Sequence, residues 1–291
     1  MIDLDAVGQT ALGVAYVRAY ESLRRDALFA DPLAVALFDS ALTDPDGTLR
    51  PMPPVTDAAG RERRGMYHWI VARTLFLDEL FRSAARDGIE QFVILGSGLD
   101  ARAFRLELGP AAVVYELDRP PVVEVKEALV AEHELVATTG RRVVQADLIS
   151  DWLPPLLEAG LHTDEPTCWL AEGLLVYLEP DVARRVIDTI GQASASGSRV
   201  GVTVRSTRRT RTDGPFAQVA ALWHEDPGIV GRFTDTGWTC ELTDTVSVLA
   251  AAGRAVDAEL VGPGTADDGS AGPSASLLAG RFESRSVGRA D

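Results

Sequence analysis

Gln91-Phe-Val-Ile-Leu-Gly-Ser-Gly-Leu-Asp-Ala101 decides the fold: a short apolar run passes directly into a glycine turn. Such a run reads as a strand buried on both faces, and the glycines allow a tight turn into a following helix. The same grammar repeats downstream. Ala112-Val-Val-Tyr-Glu-Leu117, Arg142-Val-Val-Gln-Ala146, Thr167-Cys-Trp-Leu-Ala171 and Arg199-Val-Gly-Val-Thr-Val204 are further strand-like runs. Helix-like stretches lie between them, notably 122–136 and 181–193. Apolar strands alternating with helices predict a parallel sheet covered on both faces. Two more strands are expected, at 238–242 and 276–282, around a helix at 246–252, with a Gly/Pro/Asp-rich loop at 262–275.

Upstream of Ile89 the pattern is helical. Apolar residues recur at helical spacing from Thr10 to Leu23, a break falls at Asp31-Pro32, and a short helix spans Leu33 to Phe38. Four prolines make 43–57 a loop. Arg61 to Arg86 is a long amphipathic helix with Trp69, Ala72, Phe76, Leu80 and Ala84 on one face.

Ligands of open α/β sheets bind outside the carboxyl ends of the strands, and here those ends carry suitable residues. Strand one ends in Gly96-Ser97-Gly98, where a ligand can approach the backbone closely. Strand two ends in Glu116-Leu117-Asp118, and Asp118 can accept both hydroxyls of a ribose. Strand three ends in Asp147-Leu148, a carboxylate for an exocyclic amine and an apolar group for adenine. Strand four ends in Glu172-Gly173-Leu174, at the centre of the cleft. Gly-x-Gly-x-x-Ala followed by an acid also suits a nicotinamide dinucleotide. The long helical leader and the acid after strand three favour S-adenosylmethionine instead, and no hydride-transfer constellation is evident.

The chain holds 43 acids against 28 bases, a net charge of -15, which speaks against nucleic acid or an anionic membrane as partner. Lys126 is the only lysine, and neither a Walker A motif nor a Tyr-x-x-x-Lys dyad is present, which weakens kinase, P-loop and short-chain dehydrogenase readings. Cys168 and Cys240 cannot form a disulfide framework and read as buried reduced thiols. His68, His133, His162 and His224 show no metal spacing, so no metal is expected. The opening lacks a signal-peptide pattern and no apolar run reaches membrane-spanning length, so the cytoplasm is the expected location.

These residues together resemble the leucine carboxyl methyltransferase-like family of class I S-adenosylmethionine-dependent methyltransferases, which includes actinobacterial members and polyketide carboxyl O-methyltransferases of the tetracenomycin type. The resemblance covers about residues 10–255. It rests on Arg18-x-x-Glu21, Asp26-x-Leu28-Phe29-x-Asp31-Pro32, Arg73-Thr74-x-Phe76-x-Asp78, the Gln91–Leu106 block, Tyr115-Glu-Leu-Asp118, Lys126, Asp147-Leu148, Asp151-Trp152, Glu172-Gly-Leu-Leu-x-Tyr177-Leu178 and Gly237-Trp238. It implies a Rossmann-like sheet of seven mostly parallel strands with the last antiparallel. Residues 1–88 would form a helical cap, and 89–291 the core, with a variable substrate segment at about 205–236. It further implies that Arg73, helped by Arg18, meets the cofactor carboxylate and that Gly96, Ser97 and Gly98 line its methionine portion. Asp118 would take the ribose, Asp147 and Leu148 the adenine, and Glu172 the methionine amine. Arg102 and Arg105 read as partners of nearby acids.

The expected reaction is methyl transfer to a small acid by a monomer or homodimer. A carboxylate acceptor is already ionised at pH 7, whereas a phenol would call for a base, with His224 or His68 as candidates. Tyr177, Arg205 and His224 are the candidate acceptor contacts, with Arg208, Arg209 and Arg211 read as a solvated run. A nicotinamide-dependent oxidoreductase and a non-catalytic S-adenosylmethionine-binding protein are the competing readings.

Overall fold

Seven strands lie side by side in the order β3-β2-β1-β4-β5-β7-β6. The computed structural model describes residues 6–205, 221–224, 226, 228–256 and 275–283. The strands are β1 (Gln91–Leu95), β2 (Val113–Asp118), β3 (Gly140–Gln145), β4 (Thr167–Ala171), β5 (Arg199–Arg205), β6 (Trp238–Asp244) and β7 (Ala275–Phe282). β1 to β5 are mutually parallel, and β7 runs antiparallel to both β5 and β6. This is the Rossmann-like sheet expected from the sequence, down to its antiparallel last strand. β1 and β4 match their expected limits, and every residue of both is buried. β3 differs: it is the sheet's edge, and most of its side chains are exposed. It has a neighbour on one side only, so its apolar run is not enclosed as those of β1 and β4 are.

Three helices precede the sheet: α1 (Ala6–Ser22), α2 (Pro32–Leu42) and α3 (Ala58–Arg86). Asp31 caps α2 by accepting from the Ala34 N–H, with Pro32 in the first turn, and Asp57 caps α3 through the Gly60 N–H. The remaining helices are α4 (Arg102–Arg105), α5 (Pro120–Glu132), α6 (Leu153–Glu158), α7 (Pro180–Gln192), α8 (Ile229–Asp235) and α9 (Thr245–Ala251), with a 3-10 turn at Leu175–Tyr177. α4, α6, α8 and the 3-10 turn escape sequence periodicity because each is only one or two turns long.

α3 lies across the sheet with its C-terminal half against β5. A Cβ at Gly201 would stand 2.5 Å from a methyl carbon of Leu80 and 2.7 Å from one of Leu77. The missing side chain therefore lets the helix approach the strand. α1 is fastened to the far end of the chain through Glu21, which is fully buried. Its carboxylate accepts from both terminal nitrogens of Arg254 at 2.9 and 3.1 Å, from the Leu28 N–H at 2.9 Å and from the Tyr67 hydroxyl. On the sheet's other flank the sole lysine, Lys126, is buried and donates to Glu116 at 2.8 Å, and Arg141 joins the same oxygen at 2.7 Å. Cys168 is a buried free thiol, pushed up to about 12 by burial, and Cys240 is a half-buried free thiol. Among the described residues no helix is long and apolar enough to cross a membrane.

His68, beside Tyr67 on α3, is 9% exposed, and its Nδ1 has no hydrogen-bond partner among the described residues. Burial, with the nearby cations Arg64, Arg254 and Arg24, lowers its pKa to about 4. The unfolded chain, with an ordinary His pKa, takes up a proton here between about pH 6.5 and 4 while the folded chain does not. Stability from this group is therefore full above pH 6.5 and falls with pH across that window, by roughly 3 kcal/mol at most. Replacing His68 with Gln should flatten the stability–pH curve between pH 6.5 and 4 in urea titrations. Equal slopes for the two proteins would show that His68 is not held neutral by the fold.

Candidate cofactor site

The order β3-β2-β1-β4 sets four strand ends in a row, three spacings or about 14 Å across. Along it stand Asp147 and Leu148, then Asp118, then the 96–98 turn, then Glu172. A row of this kind suits an elongated ligand with a nucleoside at one end and an amino acid at the other.

At the centre, Gly96 and Gly98 have φ values of +61° and +45°, and Gly173 across the cleft has +60°, a region that L side chains rarely adopt. A Cβ at Gly96 would come within 2.8 Å of a methyl carbon of Leu174. The Gly98 N–H donates to Asp118 at 2.7 Å, and the Arg119 N–H donates to the other carboxylate oxygen at 2.8 Å. Burial raises the Asp118 pKa above its ordinary value, against the pull of these two bonds. Asp118 thus fixes the turn, and its remaining lone pairs are available to further donors. α1 passes over the turn, with the Ala11 side chain 3.7 Å from where a Gly98 Cβ would lie. Ser97 is buried within it. Leu148 is buried, and Asp147, half-exposed, accepts from the Ile149 N–H at 3.1 Å.

Glu172 is the charge centre. Oε1 meets Arg18 of α1 at 2.6 Å and Arg73 of α3 at 2.8 Å, and Oε2 meets Arg102 of α4 at 2.7 Å. Burial alone would push this carboxyl up, but Arg18, Arg102 and Arg73 override it and hold it well below the usual carboxylate range. Arg102, fully buried, also pairs with Asp100 and reaches Asp78 at 2.9 Å, and Arg105 donates to Asp78 at 2.7 Å. Arg102 and Arg105 therefore pair with acids, as expected. Of the three arginines on Glu172, Arg73 is the least well aligned. Its pKa is pushed down by burial and by Arg18, with Glu172 opposing, and its buried Nε, though 2.8 Å from Glu172 Oε1, makes no aligned hydrogen bond to it.

The other candidates lie to one side. Tyr177 closes the 3-10 turn, half-exposed, near enough to Arg73 to bear on its charge. The His224 N–H donates to the Val176 carbonyl at 2.7 Å, which brings residues 221–224 beside that turn, and its Nε2 is 3.7 Å from Glu179. Arg205 ends β5, but its side chain lies outside the described residues, as do Arg208, Arg209 and Arg211. No group of three His, Cys, Asp or Glu suited to a metal occurs among the described residues. Sequence reasoning missed the part of Asp78 and Asp100 in this network. The available signal was a charge, Asp78, set among Leu77, Leu80 and Phe81 of α3, all three buried.

A sequence model of the leucine carboxyl methyltransferase family matches residues 11–191, more than half of the chain. The chain belongs to that family. A Frankia alni protein is 37% identical over 275 residues, covering 92% of this chain and 93% of its own length. A Streptomyces coelicolor protein is 41% identical over 242 residues, covering 80% and 83%. Both carry the provisional name of S-adenosyl-L-methionine-dependent methyltransferase. A crystal structure from Thermobifida fusca, provisionally described as a methyltransferase, superposes with a TM-score of 0.52 at 20% identity, over 92% of this chain and 94% of that one, and supports the fold. The protein is an S-adenosylmethionine-dependent methyltransferase, which sets aside the oxidoreductase and non-catalytic readings.

Replacing Glu172 with Gln leaves three arginines facing one another in a buried site. The expected loss at pH 7 is about 3–5 kcal/mol of folding stability, as for other broken buried ion pairs. Urea unfolding measures it, and a loss under 1 kcal/mol would show that solvent, not Glu172, balances these cations.

Proposed function

We propose that this methyltransferase forms a methyl ester on a carboxylate oxygen of a small acid of secondary metabolism. The observation that carries it is the protonation state of the cleft. Both oxygens of Glu172 are taken by Arg18, Arg73 and Arg102, which hold its carboxyl well below the ordinary carboxylate range and make it a poor proton acceptor. His68 is buried in the Tyr67–Arg254 cluster, and His224 sits at the surface beside exposed Glu179. An acceptor arriving at such a site does best as an anion already, and a carboxylate with a pKa near 4 is ionised at pH 7 while a phenol near 10 is not. The family's description as carboxyl methyltransferases and the actinobacterial relatives support the same reading.

The donor site fits its cofactor on three counts: the glycine turn admits close approach, Asp118 keeps free lone pairs, and Arg73, though paired with Glu172, makes no aligned hydrogen bond to it. S-adenosylmethionine, when bound, supplies the methyl group, its C–S bond breaking with the electron pair left on sulfur as the C–O bond forms. In our reading Arg73 and Arg18 hold the methionine carboxylate, Glu172 the amine, and Gly96, Ser97 and Gly98 the chain between. Asp118 takes the ribose, and Asp147 with Leu148 the adenine. The helices before residue 88 cap the site. Holding donor and acceptor in line supplies most of the rate, because no proton has to move.

Two experiments test this. Arg73→Ala should weaken S-adenosylmethionine about tenfold or more while weakening its decarboxylated form much less, as calorimetry would show; equal losses would exclude a carboxylate contact. Methyl transfer from labelled cofactor to paired carboxylic acids and phenols should yield a base-labile ester that releases methanol. A base-stable ether formed on the phenols alone would overturn the carboxylate assignment.

A further inference from the structure

One face of α3 runs the length of the helix and changes character at the edge of the sheet. Residues 66, 69, 73, 77, 80 and 84 fall on a single stripe at the 3.6-residue period. Its lower part is core: Ala84, Leu80 and Leu77 are buried, and the two leucines press on Gly201 of β5. Arg73 is the next residue along, and it meets Glu172 and Gly173 just past the carboxyl end of β4. Because α3 runs antiparallel to the strands, the stripe continues beyond the sheet, about 6 Å further at Trp69 and about 10 Å further at Met66. Both are large apolar residues that remain partly exposed, and among the described residues neither belongs to the buried clusters on either side of the sheet. Tyr177 also lies near Arg73, on the 3-10 turn to which residues 221–224 are tied. By helix geometry Trp69 and Met66 continue, past Arg73, the stripe that faces the charge centre, and among the described residues Arg18, Arg73 and Arg102 are paired with Glu172.

We propose that Trp69, with Met66, is the specificity-determining wall of the acceptor pocket, and that the acid methylated here carries a planar apolar body that stacks on the indole. The identity of the reacting oxygen as a carboxylate rests on the function proposed above; the wall does not. Indole and thioether surfaces hold flat apolar groups through dispersion and ring contacts, and offer nothing to a second charge. A small polar diacid would leave Trp69 uncovered. The change of the stripe from core to exposed apolar surface, at the level of the cofactor contact, is what a ligand pocket requires and a purely structural helix face does not.

The probes are 2-naphthoate, 2-naphthol and succinate, tested with wild-type enzyme, Trp69→Ala and Trp69→Phe. Binding is followed by calorimetry on enzyme loaded with S-adenosylhomocysteine, and turnover with labelled cofactor. Wild type should bind 2-naphthoate more tightly than succinate. Trp69→Ala should raise the KM or Kd for 2-naphthoate about tenfold, leaving kcat within about threefold, and Trp69→Phe should recover most of it. Cofactor affinity and the urea midpoint should not move, which separates a pocket wall from a structural residue. Unchanged 2-naphthoate affinity in Trp69→Ala, or no preference for it over succinate in wild type, overturns the proposal. Methyl transfer to 2-naphthol alone, lost together with 2-naphthol binding in Trp69→Ala, would keep the wall and refute the carboxylate reading.

Discussion

A carboxylate buried among three guanidinium groups organises this molecule. Glu172 is the point at which α1, α3 and α4 meet the end of β4, through Arg18, Arg73 and Arg102. Desolvating these charges costs several kcal/mol for each ion, and only close mutual pairing offsets it. The position of each arginine, and of the helix that bears it, is consequently tied to one pair of oxygens. Asp78 and Asp100 extend the network to Arg105 and to the turn after β1. α1 and α3 are thus anchored electrostatically to the strand ends where we propose that the cofactor binds.

This arrangement joins fold stability to donor recognition. Arg73 makes no aligned hydrogen bond to Glu172, and Asp118 holds the glycine turn with one oxygen and the Arg119 N–H with the other before any ligand is present. Donors and acceptors already in place need little rearrangement to meet a ligand. The acceptor side is built differently. Among the described residues it has half-exposed apolar rings and a histidine tied in by its backbone, which on our proposal would select an acid by shape.

Much of this was legible in the sequence, for identifiable reasons. β1 and β4 announce themselves because strands covered on both faces are continuously apolar, and the glycines at 96 and 98 announce a turn because their backbone takes positive φ. The row Asp147, Asp118, Glu172 followed from where parallel strands end. What stayed hidden depends on contacts distant in sequence. Nothing local shows that Arg18 and Glu172, 154 residues apart, share a hydrogen bond, or that Glu21 takes Arg254 across 233 residues. The exposure of β3 was hidden too, since an apolar run does not reveal whether it will be central or at an edge. α4, α6 and α8 carry too few turns to show a period.

The engagement of Lys126 with Glu116 has a chemical corollary. As the chain's one lysine it lies inside the protein, so the cationic side chains at the surface are arginines and histidines. Acylating esters, aldehydes and the enzymes that acetylate or ubiquitinate lysine find no side-chain amine there to attack. Chemical tethering or labelling of the native enzyme through side chains must therefore go by a route other than amines.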